Sequence, residues 1–192
     1  MPYHARAYPI PKAYTATLRL EVERLCASGV LRQVNRSEWA APTFIIPKKD
    51  GRVRWITDFR ELNKVIKRKV YNLPKIQDIL SKRNGYTHFS KLDISMMYYT
   101  FELDEESKNL CTICTPFGNY RYNRLPMGVK QSPDIAQEII EDIFRDVDEV
   151  DCYIDDVGCF NISWEEHLAS LRKILTILED HNFIVNPFKC EW

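Results

Sequence analysis

The sequence predicts an α+β fold, an antiparallel sheet backed by two helices on one face. Two strand signals and two helix signals carry that prediction. Phe89-Ser-Lys-Leu-Asp93 reads as a strand that meets a carboxylate at its end. Cys152-Tyr-Ile-Asp-Asp-Val157 reads as a tight hairpin, because Tyr153, Ile154, Val157 and Phe160 favour strand while adjacent Asp155 and Asp156 favour a turn. One helix opens at Ser132-Pro133, a good N-cap followed by a good first-turn residue, and another at the capping box Ser163-Trp-Glu-Glu166.

Taken in order, Pro2, Pro9 and Pro11 predict an extended entry segment. Leu18, Val22 and Leu25 at helical spacing predict a helix over 15–28, stopped by Gly29. Residues 41–47 and 53–57 read as a hairpin whose tip, Lys49-Asp-Gly-Arg52, is basic, with Lys48 and Arg54 beside it. A basic run, Lys64 to Lys69, follows. Pro74 to Arg83 reads as a short helix ended by Asn84-Gly85, and Tyr98 to Leu103 as strand. Asp104 to Lys108 reads as a polar loop, and 110–115 with 120–125 as a second hairpin. The helix from Ser132 is expected to bury Ile135, Ile139, Ile143 and Phe144, and the helix from Ser163 to bury Leu168, Leu171, Leu175 and Leu178. Residues 183–188 close as a strand.

Composition narrows the function. The chain has 192 residues, 45% of them hydrophobic and 12% aromatic, which suits a globular chain with a real core. No apolar run approaches a membrane span and no secretory signal opens the chain, so an intracellular, cytoplasmic protein with reduced cysteines is expected. Cys111-Thr-Ile-Cys114 has metal-clip spacing but no second pair to match it, which argues against zinc. Net charge is zero, yet residues 1–92 hold 19 Lys/Arg and 7 Asp/Glu, while residues 93–192 hold 8 and 20. A basic first half points to a polyanion partner, and the acidic second half is the natural home of metal-binding carboxylates. Asp93, Asp155 and Asp156, if the sheet brings them together, supply hard oxygen ligands for two Mg²⁺ ions.

Four motifs then carry a resemblance. Asp58-Phe-Arg-Glu-Leu-Asn63, Leu92-Asp93 with Tyr98 following, Leu125-Pro-Met-Gly128 with Ser132-Pro133, and Tyr153-Ile-Asp-Asp156 together resemble reverse transcriptases. Phe89-Ser-Lys-Leu-Asp93, Thr115-Pro-Phe-Gly118 and Val185-Asn-Pro-Phe-Lys-Cys190 resemble the gypsy-type LTR retrotransposon branch, as part of a polyprotein. The resemblance runs from about residue 9 onward.

It implies a right-hand polymerase with fingers at 1–68 and 101–131 and palm at 69–100 and 132–192, the thumb, connection and RNase H domains being absent. The implied reaction is RNA-directed DNA synthesis: a primer 3′-hydroxyl attacks a dNTP under two Mg²⁺ ions, for which Mn²⁺ can substitute. Asp93, Asp155 and Asp156 match the catalytic carboxylates, and the Ile94 carbonyl matches a metal ligand. Lys48 and Arg54 match residues that hold the triphosphate, Tyr98 the gate beneath the sugar, and Met127 and Gly128 the turn against nucleotide and template. Nucleic-acid contacts are expected at Lys49, Arg52, Lys130 and Tyr153. The implied partners are an RNA or DNA template with primer, dNTPs and the remaining polyprotein domains, with no membrane. Two departures stand out: Met97 where many relatives carry Gly or Ala, and Met127 where retroviral members often carry Gln.

Blander readings compete. Tyr71, Trp39 and Trp55 are candidates for stacking on template bases, with packing the default for Trp55. The four histidines have no catalytic pairing, and Glu61 is expected to offset Arg60. The competing function is a non-catalytic nucleic-acid-binding remnant of a retroelement polymerase. An RNA-synthesising polymerase is disfavoured by bulky Tyr98. Without a thumb, an isolated fragment of this length is expected to extend primers poorly.

Overall fold

The structure is a computed structural model that describes residues 1–48 and 53–192. In chain order its elements are α1 (Lys12–Ala27), β1 (Leu31–Val34), β2 (Ala41–Pro47), β3 (Val53–Thr57), α2 (Arg60–Val65), α3 (Ile76–Lys82), β4 (His88–Ser95), a 3₁₀ turn (Met97–Thr100), α4 (Glu105–Leu110), β5 (Thr112–Thr115), β6 (Gly118–Tyr122), α5 (Ser132–Ile143), β7 (Val150–Tyr153), β8 (Asp156–Asn161), α6 (Trp164–Asp180) and β9 (Ile184–Val185). The basic hairpin tip, with Lys49 and Arg52, lies outside the described residues. Among the described residues no helix is long and apolar enough to cross a membrane.

The contacts divide the chain into two compact units: Met1–Arg68 with Phe101–Ser132, and Lys69–Thr100 with Pro133–Trp192. The first unit holds a five-stranded sheet in the order β1-β6-β5-β2-β3, in which β2 and β5 run parallel and the other neighbours antiparallel. α1 packs on β1 through buried Leu18, Val22 and Leu25 and ends at Gly29, whose φ of 72° only glycine adopts freely.

The second unit holds the antiparallel sheet β7-β8-β4-β9. Residues alternate faces along β4 and β8. Leu92, Ile94, Val157 and Cys159 are buried, and α6 packs on β8 and β4 with Ile174 and Leu178 buried. Each such side chain contributes about 1.5–3 kcal/mol on burial. A polar layer lies within this packing. The His167 Nε2 is 2.8 Å from the Ser90 hydroxyl and its Nδ1 is 2.9 Å from Asn161 Oδ1. Asn161 in turn donates to Ser170 at 3.0 Å.

Several expectations need correction. α6 begins at the expected capping box, but its buried face is His167, Ser170, Ile174 and Leu178, and Leu168 and Leu175 are exposed. The first three inward positions are each displaced by one residue, with His167 inward and hydrogen-bonded to Ser90 and Asn161, while Leu178 is buried as expected. In α5 the buried residues are Ser132, Asp134, Ala136, Gln137 and Ile140, while Ile135, Ile139 and Ile143 are half-buried; Phe144, just past the helix, is buried as expected. The Ser132 hydroxyl, at the start of this helix, donates back to the Pro126 carbonyl at 2.7 Å. Residues 97–100 form a 3₁₀ turn, not strand, after Met96 leaves β4 at φ 50°. The polar stretch after Asp104 is helix α4, because Asp104 accepts from the Ser107 N–H and caps it.

Candidate active site

The second unit gathers the acidic residues at one end of its sheet. β4 and β8 pair in a register that sets Asp93 directly opposite Asp156, and β7 sets Tyr153 opposite Asp156 on its other side. Directly opposed residues share a face, with Cβ atoms about 4.5–5.5 Å apart. Asp155 is exposed in the two-residue turn between β7 and β8, and its carbonyl accepts from the Ile94 N–H at 2.8 Å. Burial, followed by the charges of Asp155 and Asp93 and offset by Lys91, pushes the Asp156 carboxyl above its ordinary range.

The turn that presents these groups is strained. Ile154 has φ 54°, a left-handed conformation that a β-branched side chain rarely adopts. Gln137, fully buried on α5, holds it. Its Oε1 accepts from the Ile154 N–H at 2.7 Å, and its Nε2 donates to the Cys152 carbonyl at 2.9 Å and to Glu141 at 2.6 Å. The Tyr71 hydroxyl donates to the same Glu141 at 2.5 Å, which pushes its pKa up to about 12. Tyr71 is thereby tied through its hydroxyl to the group that holds the turn. Sequence reasoning missed Gln137. The available signal was an amide, with Glu141 four residues on, inside an otherwise apolar stripe.

Tyr98 lies on the 3₁₀ turn, half-buried, and burial first and the Asp155 charge second raise its pKa. Met97, the departure from the common small residue, is buried in the core. Lys189, also unforeseen, places its ammonium 3.2 and 3.0 Å from the two Asp93 carboxylate oxygens.

The first unit holds the other expected site residues. Arg54 is paired opposite Ile46 on the β2–β3 hairpin, with Lys48 just past Pro47. Gly128, at φ 94°, lies where a Cβ would come within 3.4 Å of the Thr57 carbonyl. Asn63 fixes this turn. Its amide donates to the Gly128 carbonyl at 2.8 Å and its oxygen accepts from the Lys130 N–H at 2.8 Å. Met127 is exposed beside it. A groove of about 650 Å³ borders the turn, lined by Tyr8, Phe44, Ile56, Asp58, Arg60 and Gly128 among others. Arg60 pairs with Asp58, not Glu61, holding that carboxyl at about 2 with help from the Tyr8 hydroxyl; Glu61 pairs with Lys64. The Trp55 indole N–H donates to the Tyr122 hydroxyl at 2.7 Å, so this ring packs as expected.

The fit to a divalent ion can be read from the donors. Three carboxylates at one sheet end are the hard oxygen set that Mg²⁺ prefers. Among the described residues, no three His, Cys, Asp or Glu side chains already converge on one point, and the Lys189 ammonium stands against Asp93 where a cation would bind.

Similarity to known proteins gives this geometry its family. The family model described as reverse transcriptase (RNA-dependent DNA polymerase) matches residues 46–192. The chain belongs to the reverse transcriptase family. It is 31% identical over 189 residues to the Transposon Tf2-3 polyprotein of Schizosaccharomyces pombe, covering 97% of this chain and 14% of the polyprotein. Its fold matches that of a prototype foamy virus protease–reverse transcriptase mutant, with a TM-score of 0.90 and 28% identity over 99% of this chain and 26% of that one. A foamy viral protease–reverse transcriptase in complex with RNA/DNA hybrid shares the fold at a TM-score of 0.90 and 23% identity, over 98% and 25% of the two chains. This reverse transcriptase chain thus spans a small part of the length of each relative.

Proposed function

We propose that this chain is the fingers-and-palm region of a gypsy-type LTR retrotransposon reverse transcriptase and performs RNA-directed DNA synthesis. Residues 1–68 and 101–131 are the fingers, and 69–100 and 132–192 the palm. The division of contacts at Arg68, Thr100 and Ser132 supports those boundaries. The observation that carries the reading is the register that opposes Asp93 and Asp156, with Asp155 beside them in the turn.

Asp93, Asp155 and Asp156, with the Ile94 carbonyl, would hold two Mg²⁺ ions, or Mn²⁺ in their place. When bound, such ions lower the pKa of an attacking hydroxyl and neutralise a leaving pyrophosphate. The chain's own residues supply the rest. Gln137 holds the turn that aims the carboxylates. Tyr98 lies beneath the sugar and leaves no room for a 2′-hydroxyl. Lys48 and Arg54 hold the triphosphate, and Met127 and Gly128 form the surface against nucleotide and template. Lys130 and Tyr153, with Lys49 and Arg52 outside the described residues, contact the nucleic acid. The partners are template–primer, dNTPs and further polyprotein domains. The six cysteines are free, which suits an intracellular location.

Primer extension with Mg²⁺ on an RNA template tests this reading. Extension with dNTPs and little with rNTPs is expected. Template–primer binding without extension, even when the chain is joined to its following polyprotein segments, returns the chain to the non-catalytic binding class.

A further inference from the structure

We propose that Lys189 is an internal counter-ion that holds Asp93 while no divalent cation is present and must be displaced for Asp93 to take one up. This rests on the metal-site reading above.

Three carboxylates gathered at one sheet end repel one another, and an opposed like-charged pair costs stability. A fold that carries this arrangement without metal needs a compensating positive charge. Among the described residues, Lys91 and Lys189 are near enough to act. Lys91, two residues before Asp93 on the same face of β4, pairs with Glu191 at 3.1 Å. Lys189 pairs with Asp93 itself, reaching both carboxylate oxygens.

The segment bearing Lys189 is built to deliver that ammonium. The Asn186 N–H donates to the Asp93 carbonyl at 2.9 Å, and Lys91 and Glu191 exchange backbone hydrogen bonds at 2.8 and 2.9 Å. Between these anchors, the Asn186 side chain accepts from the Phe188 N–H and the Asn186 carbonyl accepts from the Lys189 N–H. The backbone is tied on both sides of Lys189, so only its side chain is free to swing. The Lys189 side chain is 58% exposed and that of Asp93 12%. The lysine can therefore leave into solvent at little desolvation cost, whereas Asp93 stays in place for whichever cation replaces it. An arrangement meant for permanent closure would bury the lysine as well.

The pair thus sets a threshold for metal loading. Its strength is that of a half-exposed ion pair, enough to shift a dissociation constant several-fold and too weak to exclude a divalent ion.

Mn²⁺ titration by calorimetry, on chelator-stripped chain, tests the proposal with no activity readout. The variants are Lys189→Met, Lys189→Arg and Asp93→Asn. Lys189→Met should bind Mn²⁺ roughly three- to tenfold more tightly than the parent. Its metal-free melting temperature should be lower, and Mn²⁺ should raise it by more. Lys189→Arg should stay within about twofold of the parent, since it retains the charge. Asp93→Asn should lose most of the binding. Unchanged or weaker Mn²⁺ binding by Lys189→Met, with the parent's binding still lost in Asp93→Asn, overturns the counter-ion role and leaves the metal site standing. Binding that Asp93→Asn does not diminish, or no binding by the parent and Lys189→Met alike, overturns the metal-site reading and the counter-ion with it.

Discussion

Gln137 accepts a hydrogen bond from the backbone N–H of Ile154 at 2.7 Å, across the interior of the second unit. One buried amide therefore controls the turn between Tyr153 and Asp156. Backbone in a sparsely populated region costs roughly 1–3 kcal/mol and persists only where the surroundings over-determine it. Gln137, anchored by Glu141 and through it by Tyr71, supplies that determination.

Gln137→Ala should be severe. It leaves the Ile154 N–H and the Cys152 carbonyl without their partner, at about 1–3 kcal/mol for each buried group left unsatisfied. Urea denaturation should show a loss of stability on the order of 2–4 kcal/mol. Ile154→Gly in the Gln137→Ala background should restore part of it, because glycine adopts this φ without strain. A Gln137→Ala midpoint equal to the parent's would show that the turn is held by other means.

The Gly128 turn is held by Asn63 in the first unit. Asn63→Ala should cost about 1 kcal/mol of stability, the net worth of such hydrogen bonds. It should also raise the apparent KM for dNTP while kcat falls less. Steady-state extension at varied dNTP checks this. A change in kcat alone would separate Asn63 from nucleotide binding.

Much of the second unit was legible because its signals are local. The capping box at Ser163, the alternation along β4 and the Asp155–Asp156 turn each lie within a few residues of one another. The site residues supplied by distant segments were not. Lys189 meets Asp93 only after β9 pairs with β4, and no short-range pattern marks that lysine among the others. The helix faces were misplaced for a related reason. Periodicity assigns apolar residues inward, but Gln137 and His167 occupy inward positions because they bond the Cys152 carbonyl on β7 and the Ser90 hydroxyl on β4. The stretch after Asp104 carries no helical signal in the sequence, because a six-residue helix is too short a run for periodicity to show.

His167 predicts acid sensitivity. Burial, then the neighbouring His88, lowers its pKa. The folded chain thus favours the neutral ring, and the unfolded chain binds the proton more readily. Stability from this group is full above the ordinary histidine value of about 6.5 and is lost as pH falls from there through the lowered value. The melting temperature should decline between about pH 7.5 and 5. His167→Gln should show a flatter decline over that window. An equally steep decline in the variant would assign the acid loss to other groups.

Tyr98 tests the sugar gate. If, as proposed, the ring stands against the 2′-hydroxyl, Tyr98→Ala should admit rNTPs more readily relative to dNTPs, by roughly tenfold or more. Competition between dNTP and rNTP on one template measures it. Unaltered selectivity would place the gate elsewhere.

The central claim is that the opposed pair Asp93 and Asp156, with Asp155, performs the chemistry. The most direct measurement is single-turnover nucleotide addition, parent against Asp155→Asn, each joined to the segments that follow the matched region in a related polyprotein, on saturating template–primer with Mg²⁺. The variant should bind template–primer as the parent does, yet add nucleotide at least about a thousandfold more slowly, as expected when a metal-holding carboxylate is removed. Addition at the parent's rate by Asp155→Asn would contradict the account.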